Sequence, residues 1–151
     1  ACSPVEDFTS GTFQPVIGET DDAVLAAARK QGVDRVLLCS GRVYYDLLAH
    51  RTKTGDTSTA IVRLEQLYPL ESSAIAEALA PFSGAELVWV QDEPANQGMW
   101  PYLALNLPTD LTGGDLPTLV SRPEAAAPAV GTAGFHRAQQ EEILRQAFAR
   151  R

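Results

Sequence analysis

The chain has 151 residues, 45% apolar and 21% charged, which is enough apolar material for a buried core and too much for a disordered tail. Its 12 basic and 19 acidic side chains leave a net charge of −7, which argues against nucleic acid or an anionic membrane as a partner, since both repel an acidic protein at long range. No apolar run approaches the roughly 18 residues that a membrane span needs. The opening ACSPVEDFTS lacks the basic-then-apolar order of a signal peptide. Two cysteines, Cys2 and Cys39, supply neither a disulfide framework nor a four-ligand metal set, and a reducing, cytoplasmic setting fits them. The length suggests a single domain, and the start at Ala1 in a linker-like stretch reads as a fragment, the last domain of something longer.

Residues 1–20 form a lead-in punctuated by Pro4, Gly11, Pro15 and Gly18, with Phe13–Ile17 as a short strand that Pro15 confines to an edge. Residues 21–151 read as one α/β domain. Asp21 or Asp22 caps a helix over 23–31 that Gly32 stops. RVLLC at 35–39 is a continuous apolar run of strand length, as expected of a strand buried on both faces. Ser40 caps a helix carrying Val43, Tyr44, Leu47 and Leu48 on its apolar side, closed by Gly55. Strand 60–64, a helix over 71–82 with Ile75 and Leu79 on one face, and strand 85–91 follow. DEPANQG at 92–98 is a loop, 99–107 a short helix with Pro101 in its first turn, and 117–122 a strand. An alanine- and proline-rich stretch leads to a last amphipathic helix over 135–150. Strands alternating with helices at this spacing predict a mostly parallel sheet in a three-layer α/β/α fold.

Ligands of open α/β sheets collect outside the carboxyl ends of the strands, and two segments fall there. Ser40-Gly41-Arg42 offers a helix N-terminus and a cation to an anion. A single glycine falls short of a phosphate fingerprint, so a capped strand-to-helix turn is the preferred reading. Gln91–Gly98 places Asp92, Glu93, Asn96 and Gln97 after a buried strand, with Trp89, Trp100 and Tyr102 nearby. Asp92 and Glu93 are adjacent and diverge, so they make a poor acid/base pair; a binding loop and a structural loop both remain open. His50, beside Arg51 and Lys53, reads as a solvated basic helix end, and His136 lies in the first turn of the last helix. Two distant histidines make a metal site improbable. Cys39 reads as an inert core thiol, and Ser40 lacks the G-x-S-x-G setting of a hydrolase nucleophile. Arg137, Arg145, Arg150 and Arg151 alternate with acids, as on a solvated helix face. No self-sufficient catalytic set emerges from these residues.

RVLLCSGRVYYDLL, AIVRLEQLYPL and AELVWVQDEPANQGMW, in that order, resemble the C-terminal domain of the thiamin-dependent decarboxylating component of 2-oxoglutarate dehydrogenase. VEDFTSGTFQPVI resembles that family's lead-in, and AAAPAVG followed by His136 its ending. The resemblance implies a five-stranded mixed sheet whose first strand is antiparallel to the others, as in transketolase C-terminal domains. It also implies a cytoplasmic homodimeric enzyme of the tricarboxylic acid cycle, an oxidoreductase using thiamin diphosphate and Mg2+ held by preceding domains. That enzyme passes a succinyl group to the lipoyl arm of dihydrolipoamide succinyltransferase. No catalytic, cofactor or metal residue is expected in this chain, and the isolated fragment is expected to be inactive. Actinobacterial relatives carry an allosteric acetyl-CoA site, whose matching positions are Arg42, Gln97 and Arg122; Pro123 stands where they have a second arginine, and Gln14 where they often have another.

Three alternatives accompany this reading. The first is the equivalent domain of another transketolase-like enzyme, separable by upstream sequence. The second is an acetyl-CoA-sensing or partner-docking module, and the third a dimerisation domain whose contact uses Tyr44, Tyr45, Trp100 and Tyr102.

Overall fold

Three runs of consecutive apolar residues, at 36–39, 60–62 and 87–90, form the centre of the sheet, as expected of strands covered on both faces. A computed structural model describes Ser3 and residues 5–149; Cys2, Arg150 and Arg151 lie outside the described residues. The strands are β1 (Val16–Ile17), β2 (Arg35–Cys39), β3 (Thr59–Leu64), β4 (Glu86–Pro94) and β5 (Thr118–Arg122). They lie in the order β1-β3-β2-β4-β5. β1 runs antiparallel to β3, with Val16 opposite Leu64, and all other pairs are parallel. Pro15 shortens the expected edge strand to its last two residues.

Period-2 alternation sends the side chains of each strand to two separate cores. Val36 and Leu38 join Val62 and Trp89 under α1 (Asp22–Ala28), α3 (Ser72–Leu79) and α4 (Trp100–Asn106). Leu37 and Cys39 join Ile61, Val90 and Val120 under α2 (Val43–Thr54) and α5 (Ala133–Ala147). The result is the expected three-layer α/β/α fold with a five-stranded mixed sheet.

Four local expectations change. Helix α1 does start on Asp21, whose carboxylate accepts from the Ala23 and Val24 amides, but its stop is not Gly32. Gln31 takes the left-handed conformation (φ 55°), and Gly32 follows it, donating to the Ala27 carbonyl. Ser40 does not cap α2: the chain needs Gly41 at φ 68° to turn from strand to helix, so the cap position falls to Arg42, without a side-chain cap. Pro81 ends the third helix at Leu79, and a 3-10 turn covers Ala80–Phe82. The third buried strand runs on through Asp92 and Glu93 to Pro94, opposite Arg122, past an irregularity in the β4–β5 pairing.

Two arginines, Arg35 half-buried and Arg51 buried, fasten the layers. Arg35 donates from Nε and Nη2 to Glu86 and from Nη1 to the carbonyls of Gln146 and Ala147, satisfying the end of α5. Arg51, expected at a solvated helix end, is 3% exposed. It pairs with Glu19, whose Oε2 also accepts the Ile61 amide at 2.8 Å, so the lead-in is held to α2 and β3 at one carboxylate. His50, on the same helix, stacks on Phe148 with ring centroids 4.6 Å apart. Among the described residues no helix is long and apolar enough to cross a membrane.

Candidate functional site

The carboxyl ends of β2, β4 and β5 meet at one carboxylate. Asp92, near the end of β4, accepts from Arg42 Nη2 at 3.0 Å, and its Oδ1 lies 3.9 Å from Arg122 Nη2. Arg42 reaches Asp92 from the α2 cap position, where it also pairs with Asp46 at 2.9 Å. Arg122 is the last residue of β5 and is 4% exposed. Its Nε donates to the Asp92 carbonyl at 2.6 Å, Nη1 to Gln139 at 2.9 Å and Nη2 to Gln140 at 2.8 Å. Gln140 in turn donates to Asp46 at 3.0 Å, closing a ring of charge-assisted bonds from α2 across the sheet to α5.

Gln91 shapes the segment that follows β4. Its buried Oε1 accepts from the Trp89 indole at 2.9 Å and the Trp100 amide at 3.1 Å, while Nε2 donates to the carbonyls of Pro94 and Gln97. The turn closes at Gly98 (φ 66°), where an added Cβ would come within 3.0 Å of Glu93 Cβ and 3.1 Å of the Gln91 amide. Asn96 and Gln97 both bond Ala125, in the stretch after β5. Of the two readings of 92–98, the observed bonds are those of a structural tie.

Arg42 and Arg122 therefore come together through Asp92, while Gln97, committed to Ala125, makes no hydrogen bond to either among the described residues. Arg122 uses all three of its nitrogens on the protein, and Arg42 is half exposed but faces two carboxylates. That leaves an anionic ligand one partly screened cation and no free guanidinium fork. Gln14 is exposed in the lead-in. The sequence reading had no signal for the Asp92–Arg122 pair, since 30 positions separate them and only the β4–β5 pairing makes them neighbours.

The remaining candidates fall to the core or the surface. Cys39 is buried, and burial pushes its thiol up to about 12, against a weaker opposing pull from Arg63. Site-resolved alkylation of the folded chain at pH 8 is expected to leave Cys39 unmodified, because almost none of it is thiolate there; rapid labelling would contradict the burial. His136 lies in the first turn of α5, exposed, and Arg145 pairs with Glu142 on the outer face of that helix. A cavity of about 740 Å3 opens at the amino ends of the strands, lined by Asp34, Ser58, Glu86, Asp115, Thr118 and Phe148. Among the described residues no three His, Cys, Asp or Glu side chains gather as metal ligands.

Fold and edge together define a helix-clad, mixed-sheet α/β/α domain whose carboxyl edge is braced by ion pairs. The chain matches the family described as 2-oxoglutarate dehydrogenase C-terminal over residues 2–148. It is 41% identical over 151 residues to the 2-oxoglutarate dehydrogenase E1 component of Cupriavidus necator, covering 99% of this chain and 15% of that protein. Identity is 40% over 153 residues to the E1 component of Azotobacter vinelandii, with 98% and 16% covered. It is 41% over 154 residues to the multifunctional 2-oxoglutarate metabolism enzyme of Mycobacterium sp. strain JLS, with 99% and 12% covered. The chain belongs to the 2-oxoglutarate dehydrogenase C-terminal family, and it spans 12–16% of the length of these relatives.

Proposed function

We propose that this chain is the non-catalytic C-terminal part of a decarboxylating 2-oxoglutarate dehydrogenase component, supporting its homodimer and framing its active site. The enzyme would work in the cytoplasm, on thiamin diphosphate and Mg2+ held by preceding domains, and would pass succinyl groups to the lipoyl arm of dihydrolipoamide succinyltransferase. The observation that carries the reading is the match of nearly the whole chain to relatives named for that enzyme. The isolated chain is expected to give no 2-oxoglutarate-dependent ferricyanide reduction. The polypeptide that carries it is expected to turn over as a dimer and to lose both properties when these residues are deleted. Turnover by the isolated chain, or a deleted enzyme that stays dimeric and active, would end this reading.

Arg42 favours a second, regulatory reading, because its guanidinium is half exposed at the edge where α/β sheets take ligands. In that reading Arg42, Gln97 and Arg122 hold acetyl-CoA. Calorimetry decides it: heat that Arg42→Ala abolishes supports the effector site, and no heat at millimolar acetyl-CoA removes it.

A further inference from the structure

Arg35, Arg42, Arg51, Arg122 and Arg145 each donate to a carboxylate or carbonyl of the protein. Arg63 is different. Its side chain is only 12% exposed, yet its Nε is buried with no hydrogen-bond partner. The nearest carboxylate oxygen, Glu65 Oε1, stands 3.6 Å from Nε, outside hydrogen-bond range. One face of the guanidinium is covered by Tyr44, with Cζ 4.2 Å from the ring centroid. A cation–π contact fixes the plane of the group but uses none of its N–H donors.

The position of this unpartnered Nε matters. Arg63 lies beside Cys39 of β2 and Ile17 of β1, at the carboxyl end of the parallel strands. Tyr44 belongs to the first turn of α2, so the positive N-terminal end of that helix lies on the same side of the sheet. A buried donor without a partner is normally filled by water, protein or ligand. We infer that Arg63 anchors an oxyanion subsite at the carboxyl end of β3, accepting a carboxylate or phosphate group on a guanidinium held flat by Tyr44. With so little of Arg63 exposed, the group that reaches it is slender, a free small anion or the terminus of a small metabolite. The inference rests neither on the family assignment nor on the Arg42–Asp92–Arg122 ring.

The test follows the Arg63 Nε–H resonance of the 15N-labelled 151-residue chain, assigned through its bonds so that no variant is required. Inorganic phosphate and acetate are titrated against chloride of equal ionic strength. A saturating displacement by phosphate alone identifies a phosphate-bearing ligand, and one by acetate a carboxylate; either upholds the subsite. In Arg63→Lys, which keeps the charge but loses the fork, the residual response of neighbouring amides weakens several-fold. A drift no larger than that with chloride overturns the inference. So does a resonance that answers anions only after Glu65→Gln, because Glu65 is then the partner in solution.

Discussion

Replacing Glu19 with alanine is expected to lower the stability of the chain by about 3–5 kcal/mol, the cost of removing one partner of a buried ion pair. Glu19 and Arg51 are 2% and 4% exposed at their side chains, so neither has solvent to fall back on. The same carboxylate accepts the amides of Thr20, Asp21 and Ile61, and losing it leaves the Ile61 amide without its acceptor where the two-residue strand β1 has already ended. Thermal unfolding would register the change as a fall in Tm of roughly 2–4 °C per kcal/mol. Glu19→Gln keeps an acceptor for Ile61 and is expected to lose less. Combining Glu19→Ala with Arg51→Ala is expected to cost much less than the sum of the single changes, since the second truncation removes a charge already stranded by the first. A loss below about 1 kcal/mol in the single variant, the value of an exposed pair, would show that solvent reaches the site.

The Glu19–Arg51 pair also marks where the sequence stopped being readable. Val36–Cys39, Ala60–Val62 and the apolar part of β4 announce themselves because a strand covered on both faces reads as a run of consecutive apolar residues. The helices between them show their apolar spacing, though α1 and α3 end earlier than their stop signals suggest, and alternation of strand and helix fixes the layers. Glu19 has no such signature: it stands among Gly18, Thr20 and Asp21 in a segment without periodicity, and its partner sits beside His50 and Lys53 in what reads as a basic helix end. Burial of a charge is decided by tertiary packing that no local pattern encodes. Asp92 is a similar case. As a loop residue next to Glu93 it offers no chemistry, and only the continuation of β4 to Pro94 turns it toward Arg42 and Arg122. Of the three positions matched to an effector site by resemblance, two meet in space, and the resemblance could not reveal that the more buried one is committed to the protein.

That commitment makes the second large effect. Arg122→Ala is expected to destabilise the chain by roughly 2–4 kcal/mol, because buried acceptors left unpaired cost about 1–3 kcal/mol each. The loss should be uneven. Arg122 joins the Asp92 carbonyl of β4 to Gln139 and Gln140 of α5, so hydrogen exchange is expected to accelerate in the first half of α5 and at the end of β4. Amides of β2 and β3, in the centre of the sheet, should keep their protection. Arg122→Lys is expected to fall between, since one ammonium cannot serve acceptors in three directions from a buried stem. A residue whose business was an external ligand would behave in the opposite way: Arg122→Ala would remove binding and leave stability and exchange untouched. The distinction reaches beyond this position. If α5 loosens with Arg122 while acetyl-CoA heat survives, an effector at this edge is held by Arg42 and its neighbours, and Arg122 serves only to keep α5 seated against the sheet.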